Sequence, residues 1–368
     1  MALKLNFQRF LQTAPRRLPT DSLMTEIDRV TGGNIFKNLD WLLNDDDTNV
    51  KGYFKSLSGT MHPVLNTISE FINNKSISYG LVVNLSSQIP KNSLQINNDQ
   101  IILSKVTEML RMAILLHNDI VNTTPLNKRL HKGNKISLLC GDYLLTKCLY
   151  SLITLKDHYY VEYMSSALRD LTLGRTLGPM DQNGKPYPSK LKNNFDLKQE
   201  ISILNNFSSE LFDYKTVLGH PINEWIIRNS LNAGNLLGKG ISSVFRFGNL
   251  PESIQNVGFN FGKYFALILK ANEDIYEVLK TNHISLTNLL VYIYLKKHPE
   301  FYKEIENNLD QINYEDLIFN LVQSGSLDES FEFRNELISS ALSCLSVFDD
   351  SYPKVLMKEL ILDLKNVK

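Results

Sequence analysis

Residues Leu115 to Leu145 read LLHNDIVNTTPLNKRLHKGNKISLLCGDYLL. Apolar residues recur at helical spacing from Asp99 up to this stretch, and the same period resumes at Lys135 and runs to Leu155, so the stretch joins two helices. Thr123-Thr124-Pro125 breaks the first helix, because proline cannot continue it and biases the preceding residue away from helical geometry. Just before the break, Asn118, Asp119 and Asn122 lie on one helical face. Taken alone they are polar residues at a helix C-terminus, a place that suits asparagine. Lys128, Arg129, His131 and Lys132 follow as a short basic run, and such runs are ordinarily solvated.

Working outward, the helical period dominates and no region shows the alternation of a strand between turn signals. Helices are predicted over Pro63 to Ile72, Asp99 to Asn122, Lys135 to Leu155, His158 to Leu177, Asn223 to Phe247, Ile254 to Lys280 and Leu286 to Lys297, with shorter ones near the C-terminus. Breaks fall at Pro90, at Thr123 to Pro125, and at Gly178 to Pro188, whose glycines, prolines and polar residues form turns. The fold class expected is all-α. There is no internal repeat or long low-complexity tract.

The segments around the opening stretch carry a resemblance. Gly133-Asn134-Lys135 and Gly141-Asp142-Tyr143-Leu144-Leu145 match the GNK and GDxLL signatures that follow the first acidic box of polyprenyl diphosphate synthases, and Asn118, Asp119 and Asn122 stand where that Asp-Asp-x-x-Asp box belongs. Gly59-Thr60-Met61-His62-Pro63 is similar to the family's Gly-Lys-x-x-Arg-Pro, and Phe261 to Leu279 to its second box, with Lys270 in place of Gln before Glu273, Asp274 and Glu277. The chain thus resembles the trans-isoprenyl diphosphate synthases from about Trp41 to the C-terminus. A single one of these motifs would be weak; their order and spacing carry the resemblance.

The resemblance implies an isoprenoid synthase helical bundle, and it also shows damage. In working members, acids one helical turn apart supply the charged oxygens that Mg²⁺ demands. Asn118 and Asn122 keep the shape of aspartate and lose its charge, so Asp119 alone survives in the first box. Thr60 and His62 replace two cations that grip the diphosphate of isopentenyl diphosphate, Ala233-Gly234 aligns with a Lys-Thr diphosphate contact, and Asn127-Lys128-Arg129-Leu130 stands for Arg-Arg-Gly. Residual diphosphate contacts would fall on His62, Lys128, Arg129 and Lys135. The second box, Glu273, Asp274 and Glu277, keeps its charge as a candidate metal site, although glutamate reaches farther than aspartate by roughly a bond length. Ala113, five residues before the first box, is small where short-chain synthases carry a bulky aromatic, and is otherwise an ordinary core alanine. His62 and His117 have no companion at metal-ligand spacing and read as structural.

This pattern of loss resembles the second subunits of mitochondrial trans-polyprenyl diphosphate synthases, of the decaprenyl type. It implies a non-catalytic or weakly catalytic regulatory subunit, partnered in a heterotetramer with a catalytic synthase that has intact boxes, working on prenyl diphosphates for the ubiquinone side chain. Mg²⁺ would act mainly through that partner. Two other readings are an autonomous prenyltransferase using only the second box, and a prenyl-diphosphate-binding module.

Composition adds bounds. Among 368 residues, 39 basic and 39 acidic side chains cancel, so no global field draws nucleic acid or anionic membrane. Cys140, Cys148 and Cys344 are too few for a disulfide scaffold and read as reduced core residues. Residues 1–20 contain Lys4, Arg9, Arg16 and Arg17, no acid, and apolar positions on one helical face, the composition of a mitochondrial transit segment. A single helical domain is expected over 21–368, in the matrix. No apolar run approaches the ~20 residues of a spanning helix, which leaves peripheral association as the only expected contact with the inner membrane.

Overall fold

The computed structural model describes residues 21–31, 77–90, 97–118, 120, 128–182, 184–192, 216–309 and 312–365. Its helices are α1 (Asp21–Val30), α2 (Tyr79–Gln88), α3 (Asn98–Asn118), α4 (Lys128–Thr154), α5 (His158–Arg175), α6 (Pro221–Asn229), α7 (Asn235–Phe247), α8 (Glu252–Lys280), α9 (Leu289–Lys297), α10 (Phe301–Asn308), α11 (Tyr314–Gln323), α12 (Ser326–Ser346) and α13 (Tyr352–Lys365). A π-helical turn, Ser230–Gly234, joins α6 to α7. Among the described residues there is no strand, only an antiparallel bridge between Met180 and Pro186. The all-α expectation holds.

Several boundaries differ from the sequence reading. α3 ends at Asn118 rather than Asn122. α4 starts at Lys128 rather than Lys135, so the basic run and Gly133-Asn134-Lys135 are helical. α2 was not expected: YGLVVNLSSQ is buried on every side, so it carries no polar stripe to reveal its period. α12 has 21 residues where only shorter helices were predicted. The predicted helix over Pro63 to Ile72, the transit segment and the break at Thr123 to Pro125 lie outside the described residues.

Local chemistry sets the ends. Ser78 Oγ accepts from Leu81 N at 3.2 Å ahead of α2, and Asp157 Oδ1 accepts from Tyr159 N at 2.9 Å ahead of α5. The Gly178 to Pro188 segment is the predicted loop between the halves bearing the two boxes. Gly178 takes φ 77° and Gly184 φ 76°, a left-handed geometry that glycine adopts without strain.

α8 is the centre of the molecule, 29 residues long with its middle turns almost wholly buried. α7 packs on it so tightly that a Cβ on Gly262 would lie 2.7 Å from the Gly238 nitrogen and 2.8 Å from its Cα. The two backbones touch. α12 covers another side of α8, where Arg334 Nη1 donates to Asn272 Oδ1 at 3.1 Å. α3 packs against α2, α4 and α7. A buried pair, Lys239 Nζ to Asp170 Oδ2 at 2.6 Å, ties α7 to α5.

All three cysteines are free, Cys140 and Cys148 buried in the core and Cys344 half-buried. The expectation that no segment could span a membrane needs a qualification at α4. Leu130–Thr154 is long and apolar enough by length and composition, with a mean hydropathy of 1.3 and 39% of its apolar window buried. Lys135, Asp142 and Lys147 interrupt the apolar run, yet leucines and cysteines raise the average. One such helix is a weak indication, because core helices pass the same test.

Candidate functional site

The first box sits at the end of α3. Asn118 is its last residue and is exposed. Asp119, Asn122 and His62 lie outside the described residues, as does the side chain of Arg129; Lys128 and Lys135 are exposed on α4. Ala113 is fully buried on α3. His117, one residue before the box, packs on α4, its Nε2 3.5 Å from Asp142 Oδ1 and 3.4 Å from the Leu138 carbonyl oxygen. A Cβ on Gly141 would come within 2.1 Å of that nitrogen, so the glycine of the Gly-Asp-Tyr-Leu-Leu segment makes room for the ring.

The second box is built on α8 and its acids are already engaged. Asp274 is 1% exposed. Its Oδ2 accepts from Trp225 Nε1 at 2.8 Å and from Leu289 N at 2.8 Å, and its Oδ1 meets the Lys270 ammonium at 2.9 Å. Leu289 N opens α9, so Asp274 supplies a charged acceptor at a helix N-terminus, where backbone donors and the helix dipole favour it. Asn288 caps the same helix, its Oδ1 taking Leu290 N at 2.9 Å. Its Nδ2 donates to Glu277 Oε2 at 2.8 Å and to the Asp274 carbonyl at 2.9 Å, and Glu277 Oε1 accepts from Ser285 N at 3.1 Å. Two acids of the box therefore fasten the loop between α8 and α9. Glu273 is exposed and lies 3.5 Å from Lys270 Nζ.

Electrostatics follow this geometry. Burial raises the Glu277 carboxyl above its ordinary value and the Asp274 charge adds to that, while the Asn288 bond, Lys270 and the Ser285 N–H offset part of it. Burial works to lower Lys270, but Asp274 and Glu273 outweigh it and hold the ammonium firmly charged. The field of Glu273 also reaches Arg111 on α3 and Tyr79 on α2. Arg111 Nη2 pairs with the fully buried Glu108 at 2.6 Å, whose other oxygen accepts from Gly80 N at 3.0 Å. Arg111, two turns before the neutralised first box, and Lys270, one turn before the second, are thus cations the chain supplies from within.

Ala233-Gly234, at the place of the missing Lys-Thr pair, falls in the π-helical turn. Single π-turns inside helices are frequent at functional sites. A Cβ on Gly234 would meet Lys263 Cγ at 3.1 Å, so the turn lies against the stem of a lysine on α8 that burial lowers to about 8. Sequence reading missed the roles of Trp225, Asn288 and Arg111. The spacing of Lys270 to Asp274, one turn apart, was the available signal for their pairing.

Away from the boxes, α4 shows an apolar face. Leu138, Leu139, Leu149, Tyr150 and Ile153 are exposed, Tyr150 by 72%. At ~100° per residue they fall within a sector of about 120°. Among the described residues no group of three His, Cys, Asp or Glu side chains is arranged to hold a metal ion.

No family model matches the chain. It is 27% identical over 282 residues to "All trans-polyprenyl-diphosphate synthase PDSS2" of Homo sapiens, covering 71% of this chain and 63% of that protein. It is 21% identical over 298 residues to "Probable hexaprenyl pyrophosphate synthase, mitochondrial" of Yarrowia lipolytica, covering 76% and 60% respectively. The chain thus spans less than two thirds of the length of these relatives. Among solved structures, the polyprenyl synthase from Caulobacter crescentus, complexed with calcium and isoprenyl diphosphate, superposes with a TM-score of 0.61 at 13% identity, over 96% of this chain and 99% of that one.

Proposed function

Starting from a chain that is a homologue of the polyprenyl diphosphate synthases and has their all-α fold, we propose that it is a non-catalytic subunit of a heteromeric trans-polyprenyl diphosphate synthase. The observation that carries this reading is the engagement of Asp274: a carboxylate of the second box is held by Trp225, Leu289 and Lys270, while Asn118 of the first box has no charge to offer. Boxes with their charge lost or already engaged would leave little to stabilise a departing diphosphate, which needs positioned charge.

The partner is a synthase subunit with intact boxes, which holds the Mg²⁺ and joins isopentenyl diphosphate to an allylic diphosphate. The product serves as the ubiquinone side chain, in mitochondria. Support for the compartment comes from the basic, acid-free residues 1–20 and from the name of the Yarrowia relative, a mitochondrial enzyme by that name. Support for the partnership comes from the exposed apolar sector of α4, since contiguous apolar patches on a protein surface mark interaction sites.

The test is product formation from farnesyl and isopentenyl diphosphates by the full chain alone, by a catalytic subunit from the same cell alone, and by the two together. The expected result is no turnover by this chain and turnover that requires or is strongly raised by its presence with the partner. Turnover by this chain alone within a hundredfold of the pair would make it an autonomous enzyme. Prenyl diphosphate binding with no effect on the partner would make it a binding module.

A further inference from the structure

The second box of a working synthase is a place for a divalent cation, and the donors present here do not fit one. A cation shared by Asp274 and Glu273 would have to stand where Lys270 Nζ stands, 2.9 Å from Asp274 Oδ1 and 3.5 Å from Glu273 Oε2. The other Asp274 oxygen is filled by two N–H donors, and each Glu277 oxygen already holds one. The two N–H groups on Asp274 cannot turn away without leaving themselves unsatisfied in a buried place.

We infer that Lys270 is a resident counter-ion which occupies the cation position of the second box and makes this chain blind to divalent metal. The ammonium arrives on the same helix, one turn before Asp274, so no other element has to move to place it. Its charge cannot be diluted or chelated away, and it leaves Asp274 free to serve α9. The neighbouring charges agree with this. Arg111 is paired with Glu108 on the same helix, α3, so the carboxylates in reach of the site are matched by cations of the chain itself, with Glu277 bound by amide donors.

The inference concerns metal stoichiometry and not turnover, so it stands or falls independently of a catalytic partner. The full-length chain is titrated with Mn²⁺ under electron paramagnetic resonance, and its thermal unfolding is followed with and without Mg²⁺. Wild type is expected to show no saturable Mn²⁺ binding below millimolar concentration and no Mg²⁺-dependent shift in Tm. K270Q keeps a side chain of similar reach and removes the charge. It is expected to bind Mn²⁺ at least ~10²-fold more tightly, because a unit charge at ~4 Å in a medium of effective dielectric ~20 opposes a cation by more than that factor. Its Tm should rise with Mg²⁺, and K270R should remain blind like wild type. Saturable Mn²⁺ binding by wild type that D274N abolishes would overturn the inference, and this measurement stands even where K270Q does not fold. A folded K270Q that gains no Mn²⁺ site would overturn it as well.

Discussion

D274N is the substitution on which the structural reading of the second box turns. The change keeps the shape and removes the charge. In the wild type, Asp274 accepts from Trp225 Nε1 and Leu289 N at 2.8 Å each and from Lys270 at 2.9 Å. Asparagine has one carbonyl oxygen for these three donors, and its amide would face either the ammonium or the two N–H groups. Breaking a buried ion pair by removing one member costs ~3–5 kcal/mol, and the Trp225 and Leu289 bonds weaken from charge-assisted to neutral. Lys270 retains 35% side-chain exposure, which relieves part of its stranded charge and puts the expectation at the lower end, about 3 kcal/mol. Removing the stranded cation as well, in K270M/D274N, should return about 1–2 kcal/mol as a coupling between neighbours in one network. Urea unfolding followed by tryptophan fluorescence measures both, and D349N, at an exposed acid after α12, is the control. If D274N unfolds within 1 kcal/mol of wild type, Asp274 is not the fastening described here and the argument for its engagement fails.

Lys263 gives a pH-dependent prediction. Burial lowers it to about 8 from 10.5, so between those values the unfolded chain binds a proton that the folded chain does not. Stability should therefore rise as pH climbs through that window. K263M should remove the rise and gain about 3 kcal/mol at pH 7, read from urea midpoints at pH 7 to 10, at ~1.4 kcal/mol per pH unit; a wild-type midpoint that falls over this range would contradict it. On α4, L139E and I153E place charge on exposed apolar positions, so the chain alone should unfold within about 0.5 kcal/mol of wild type while binding to the catalytic subunit weakens at least tenfold by light scattering or calorimetry. Unchanged affinity would assign the partner to another face.

The parts of the fold that could be read in the sequence are those with one wet side. α3, α5 and α8 lie close to where their apolar period put them, because each shows a polar face to break the run. α2 could not be read that way, since all ten of its residues are buried and periodicity has nothing to contrast. The π-turn in SLNAG was also silent, for the residues on both sides of it are helical and the five themselves carry no break in the pattern. At the site, the neutralised first box was plain because asparagine for aspartate is a change of residue type. The engagement of Asp274 was not, because Trp225 lies 49 positions away in sequence and Leu289 acts through its backbone. Lys270 was visible as a departure from the family pattern, yet only its distances to Asp274 and Glu273 turn that departure into a pairing.

The acceptor that opens α9 is the same carboxylate that a metal site would need, and this limits what one substitution can restore. With Lys270 replaced by glutamine, Asp274 Oδ1 would be open to a cation while Oδ2 stayed committed to Trp225 and Leu289, so a cation that drew on both oxygens would compete with the packing of α9 itself. A full complement of carboxylate oxygens at the box would thus require a new acceptor for the α9 N-terminus as well as the loss of Lys270.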